Sequence, residues 1–200
     1  MESVFNPDDQ NKNLDKKIVI ALERVSEAFK VLLWEHSKTH GLSPIQIQVL
    51  IFIQHHSPET SKVGYLSDEF NVTKATISDT IKTLEKKEFI FKEQDPSDQR
   101  SYQILLSAKG KELVQKLTPY PSILEESIKR RTSEEKKVFY DNLLSLIHHL
   151  NVSGIVSMKR MCFSCKFLLK NENRFYCNFL EKPLAKHELR IDCPEHIEIQ

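Results

Sequence analysis

Leu66-Ser67-Asp68-Glu69-Phe70-Asn71-Val72-Thr73-Lys74-Ala75-Thr76-Ile77-Ser78-Asp79-Thr80-Ile81-Lys82-Thr83-Leu84 reads as the end of one helix, a short turn and a second helix. Thr73 suits the N-cap of that second helix, because its hydroxyl can accept from the free N–H groups of the first turn. Ile77, Ile81 and Leu84 follow at four- and three-residue steps, so they share one buried face. At about 100° per residue the opposite face carries Ala75, Asp79, Lys82, Thr83 and Lys86, with Thr76 at its edge. Leu66, Phe70 and Val72 complete an apolar set that suits two helices crossing steeply, a helix-turn-helix.

Two β-prone runs follow, Phe89-Ile90-Phe91-Lys92 and Tyr102-Gln103-Ile104-Leu105-Leu106. The residues between them, Asp95 to Ser101, are a loop by composition. Strand, polar loop with an arginine, strand makes a wing, whose tip can lie along a minor groove where a cation meets enhanced negative potential. The stretch from Lys62 to Lys111 holds nine basic and eight acidic residues. Any nucleic-acid contact must therefore rest on a few placed cations rather than on a general field.

In these residues the chain resembles the MarR family of bacterial transcription regulators. The resemblance is carried by Leu66…Phe70-Asn71-Val72-Thr73…Thr76-Ile77-Ser78, by Leu84-Glu85-Lys86-Lys87…Ile90, and by Asp98-Gln99-Arg100 with Leu106-Ser107-Ala108-Lys109-Gly110. It extends over roughly residues 14 to 150. It implies a homodimer reading a palindromic operator in double-stranded DNA, with paired recognition helices in successive major grooves. Carried onto this chain, the DNA-binding residues would be Thr73, Lys74, Ala75, Thr76, Ser78, Asp79, Lys82 and Thr83, with Asp98 steadying Arg100 in the wing. Asp79 departs from the arginine that family members often carry there. An acid disfavours phosphate but can accept from a cytosine amino group. The resemblance also implies a small aromatic effector, for which Phe29, Trp34 and Tyr120 could line a cleft.

Outside the centre, residues 1–12 are polar and expected to be frayed and flexible. Leu14, Ile18, Leu22, Val25, Phe29 and Leu32 mark a long amphipathic helix ending near Gly41. Ser43-Pro44-Ile45-Gln46 is a capping box that opens the next helix, and Thr132-Ser133-Glu134-Glu135 opens another with the stripe Phe139, Leu143, Leu146 and Leu150. First and last helices thus carry apolar faces with no obvious partner, as dimerisation helices would. The expected architecture is mainly α (α+β). Residues 13–151 form a winged helix-turn-helix with dimerisation helices (DNA-binding core about 43–106), and 158–200 form a small metal-binding extension.

All four cysteines lie in that extension: Cys162, Cys165, Cys177 and Cys193. Cys162-x-x-Cys165 has the spacing at which one turn of chain aims two thiolates at one ion. Clustering in a small segment points to metal ligands rather than unrelated thiols. Zinc and an iron–sulfur cluster both fit, the first with His196 as an alternative ligand through Cys193-x-x-His196, the second through the final Cys193-Pro194. From Lys159 to Arg190 the extension has eight basic and three acidic residues, a solvated surface or an added phosphate contact.

With 200 residues, 40% hydrophobic and 28% charged, net charge +1, the composition is that of an ordinary globular protein. No apolar run approaches a membrane span, and the acidic N-terminus lacks the core of a secretory signal, so a cytoplasmic location is expected. Four glycines leave no phosphate loop, and no nucleophile or paired-carboxylate spacing supports an enzyme. The rival reading is a metal or redox protein whose winged helix is only a protein-docking platform.

Overall fold

A computed structural model describes residues 2–95, 98–171 and 174–199, with only the backbone of Gln99 and Arg100. The first surprise is at the start. Residues 1–12, expected to fray, contain α1 (Pro7–Lys12), capped by the Asn6 side chain on the Asp8 N–H with proline and two acids in the first turn. Helix α2 (Leu14–His40) ends where Gly41 takes φ 60°, a left-handed cap. The Ser43–Gln46 capping box starts α3 (Pro44–His55). Helices α4 (Val63–Glu69) and α5 (Lys74–Lys86) follow, α5 capped by Thr73 on the Thr76 N–H. Asn71 between them sits at φ 51°, a conformation asparagine tolerates because its side chain can bond locally.

Strands β1 (Ile90–Asp95) and β2 (Asp98–Leu106) pair antiparallel, Ile90 opposite Leu106 and Lys92 opposite Ile104. Both run further than sequence indicated, so the expected 95–101 loop shrinks to a connection whose two residues, 96 and 97, lie outside the described part. One reason is Asp95. Its side chain is buried by an ion pair with Lys62, which lets an acid end a strand. Helix α6 (Ala108–Leu117) is capped by Ser107, α7 (Ser122–Lys129) follows the Pro119/Pro121 break, and the Thr132–Glu135 box starts α8 (Ser133–Val152).

One core joins α3, α4, α5, α6 and the wing base. Ile47, Leu50, Leu66, Ile77, Ile81, Leu84, Ile104, Val114 and Leu117 are all at most 1% exposed. The extension forms a second core, and not by itself. A three-stranded sheet, β3 (Leu168–Asn171), β4 (Arg174–Cys177) and β5 (Lys182–Leu184), sets Phe175 and Leu184 with Met161 and Leu189 against Leu144 of α8. Tyr140 of α8 donates its hydroxyl hydrogen to the Leu189 carbonyl at 2.7 Å. One side of α8, which the stripe assigned wholly to dimerisation, is thus given to the extension. Among the described residues no helix is long and apolar enough to cross a membrane.

Candidate nucleic-acid interface and cysteine cavity

On α5 the division anticipated from spacing holds for the apolar side and for Ala75, Asp79, Lys82 and Lys86 on the outer one, while Thr83 is half-buried. Ile77, Ile81 and Leu84 are buried, and so is Thr80, which spacing had not singled out. Thr73, Lys74, Ala75, Thr76, Asp79 and Lys82 are exposed, and Ser78 and Thr83 are half-buried. The two threonine hydroxyls at the helix start lie 2.8 Å apart, which fixes the first turn. Thr83 turns its hydroxyl back to the Asp79 carbonyl at 2.8 Å. Asp79 is partnered by Lys82, 3.3 Å away, so its charge is offset on the same face. In the wing Asp98 pairs with Asp95 across the strands, while the Arg100 side chain lies outside the described residues.

A cavity of about 520 Å³ is lined by Phe29, Trp34 and Tyr120, together with Leu33, Pro44 and Gln48. The three aromatics proposed for an effector cleft do come together, between α2, α3 and the start of the α6–α7 break. Burial raises the Tyr120 hydroxyl above its ordinary value, so it stays a neutral donor.

Farther along, all four cysteines line a second cavity of about 290 Å³. Cys162 and Cys165 are buried and flank a single 3₁₀ turn, Cys177 ends β4 and Cys193 sits in the loop well beyond β5. Burial pushes the Cys162 thiol up, while the Arg190 N–H, 3.1 Å from its sulfur, works the other way. His196 does not line this cavity. Its Nε2 lies 3.0 Å from the Ser164 hydroxyl, and burial lowers its pKa.

Between the two sites lies a clamp that sequence reasoning did not find. Arg160, 9% exposed, donates from Nε to Asp192 at 2.6 Å, from Nη1 to the Tyr65 hydroxyl at 2.6 Å and from Nη2 to Glu69 at 3.2 Å. Its guanidinium also stacks over Phe52, 4.8 Å from the ring centre. Asp192 accepts as well from His56 Nε2 at 2.7 Å, whose Nδ1 faces the Phe52 carbonyl at 2.8 Å. Lys159 pairs with Asp68 at 2.7 Å, and the Ser157 N–H reaches Asn71 Oδ1 at 3.2 Å. The Cys193 N–H donates to the Arg160 carbonyl at 3.0 Å, which ties a cysteine directly to the clamp. Basic residues that might have faced DNA are therefore partly spent on α4. His148 stacks on Phe163 with ring centres 4.2 Å apart.

Burial alone would raise the Asp192 carboxyl. Hydrogen bonds from His56 and Arg160 and their charges outweigh it and hold the group well below the usual aspartate range. A depressed folded value means that the stabilisation is complete above the unfolded aspartate value of about 4 and is lost as pH falls through the folded one. With Asp192 half exposed, screening leaves about 1 kcal/mol. Melting temperature should thus be flat from neutral pH to about 5 and fall below about 4, more steeply than in Asp192→Asn. Equal acid slopes in the two proteins would contradict this.

Comparison with known proteins gives one family resemblance and one fold. The MarR family model matches residues 40–101. The chain is 31% identical over 83 residues to the HTH-type transcriptional regulator YkoM of Bacillus subtilis, 42% of this chain and 53% of that one. It thus spans about half of that relative's length. It is 28% identical over 136 residues to the HTH-type transcriptional regulator BilQ of Clostridioides difficile, covering 68% of this chain and 81% of BilQ. In three dimensions it is similar to S. aureus MepR, solved in complex with DNA, with TM-score 0.57 and 20% identity over 66% of this chain and 97% of MepR. A third of this chain has no counterpart there. In its winged helix-turn-helix, residues 40–101, the chain is thus similar to the MarR family, and its fold is that of the MarR-type regulators of known structure.

Proposed function

We propose that the protein is a homodimeric transcription regulator that reads a palindromic operator in double-stranded DNA. The observation that carries this is α5. Its apolar side is sealed in the core while Thr73, Lys74, Ala75, Thr76, Asp79 and Lys82 remain open to a groove. Solution of the similar MepR fold on DNA supports it. Pairing of two copies is supported by apolar side chains left on α2 and α8, among them Leu14 at 69% exposed, Ile18, Val25 and Phe139. Faces of that extent are rarely left to solvent. The cavity at Phe29, Trp34 and Tyr120 would take a small aromatic effector, and the cysteine cavity a metal. Either would act by changing the spacing of the two recognition helices.

The test is fluorescence anisotropy on duplexes selected from a random pool. Binding should be salt-dependent and specific for an inverted repeat. Arg100→Ala should weaken it by about tenfold or more, since loss of one groove contact costs about 1–3 kcal/mol. Absence of duplex binding at every salt concentration and in every metal state would instead favour a winged helix that docks protein.

A further inference from the structure

We propose that the cysteine cavity takes an iron–sulfur cluster rather than a single zinc ion. The proposal deepens the reading of the extension as a metal site and rests on it. Tetrahedral zinc at about 2.3 Å from each sulfur draws its four ligand atoms to within about 4 Å of one another. Here four thiols from three separate segments ring about 290 Å³ of space. Among the described residues, no three Cys, His, Asp or Glu side chains stand close enough together to hold one ion. What fits is a body with its own volume, in which each thiolate meets a different iron or a different side of the core.

The walls agree. Phe167, Leu168, Phe179, Leu180 and Leu184 supply much of the lining, an apolar sheath that a closed zinc knot does not need. Around a cluster such a sheath limits water and sets the potential. Two N–H groups of Arg190 aim at sulfur, the backbone one at Cys162 from 3.1 Å and Nη1 at Cys193 from 3.7 Å. N–H donors to cluster sulfurs stabilise their negative charge. The histidine that would complete a three-cysteine zinc site is turned to Ser164 instead. On assembly each thiol releases its proton to solvent as its sulfur bonds iron. Ferrous and ferric iron with sulfide make up the core without a further oxidant.

The experiment is metal and sulfide analysis of the full chain purified without oxygen, repeated after incubation with ferrous and ferric iron and sulfide under nitrogen. Iron and acid-labile sulfide in equal amounts, in a [2Fe–2S] or [4Fe–4S] complement, with visible charge-transfer absorption, is the expected result. Cys177→Ser and Cys193→Ser should each lower bound iron at least tenfold, and His196→Ala should leave it unchanged. Stoichiometric zinc without sulfide, or loss of metal in His196→Ala with none in Cys177→Ser, overturns the cluster while leaving the metal reading intact. A chain that takes up neither iron nor zinc under any of these conditions overturns both. The analysis of the unaltered protein decides the matter even if a cysteine variant fails to fold.

Discussion

Arg160→Met should lower the melting temperature by about 6–12 °C, corresponding to a loss of about 3 kcal/mol in a chain of this size. Methionine keeps the stem that packs on Phe52 and Tyr65, so the loss reports the guanidinium. Removing one partner of a buried ion pair typically costs 3–5 kcal/mol, because the other charge stays behind without compensation. Here two acids are left, Glu69 with 22% and Asp192 with 47% of their side chains exposed, and partial solvation puts the cost at the low end. Asp192→Asn should lose less alone, and the double variant should fall well short of the sum, as groups sharing one network do. Amide exchange in α4 should quicken in Arg160→Met while the centre of α3 stays protected. A melting point within a degree of the parent would mean that the clamp holds nothing.

Gly110→Ala should cost about 3 kcal/mol, the upper end of overpacking, although helix propensity favours alanine. Gly110 lies in the first turn of α6, where replacing glycine would ordinarily gain up to about 1 kcal/mol. A Cβ there would stand 2.0 Å from the Phe89 carbonyl oxygen and 3.3 Å from Leu106 Cδ2. The oxygen is backbone, already accepting from the Ser107 N–H at 3.0 Å, so it cannot turn aside. Helix α6 would have to lift off the base of the wing, opening the Ser107 contacts to Gly110 and Glu88. Gly64→Ala is the control. Its Cβ would meet only Lys74 Cε at 4.0 Å, and it should be neutral or slightly stabilising. Chemical denaturation of the three proteins separates the outcomes, and equal midpoints for Gly110→Ala and Gly64→Ala would refute the close-approach account.

That glycine also shows what sequence could and could not convey. The pattern Leu106-Ser107-x-x-Gly110 was visible as a motif, but its reason, a strand-end carbonyl pressed against a helix, is a distance that no spacing encodes. Helix α5 was legible because a 3.6-residue period leaves a signature in every turn, and its cap in Thr73 is local. The cysteines were legible as a cluster by type and proximity in sequence. The clamp was not. It joins Arg160 to partners 32, 91 and 95 residues away, and an ion pair has no period to betray it. The short α1 was missed for the opposite reason: Asn6-Pro7 with two acids behind is a proper start signal, but six residues carry too little apolar pattern to support it. The use of one side of α8 by the extension was hidden because Leu144, which packs on the extension, lies outside the stripe of Phe139, Leu143, Leu146 and Leu150.

The extension grips α8 through grease and α4 through charge, with Leu144 and Tyr140 at one end and Asp68, Glu69 and Tyr65 at the other. It is therefore a brace laid across the joint about which the reading head would have to swing. Any pivot of α4 and α5 against α8 must shear one of the two grips, and the charged one yields first because water can replace its partners. Strain raised by a guest beside Trp34 would then surface at Asp192, next door to Cys193, and a change at the cysteines could run the same route backwards.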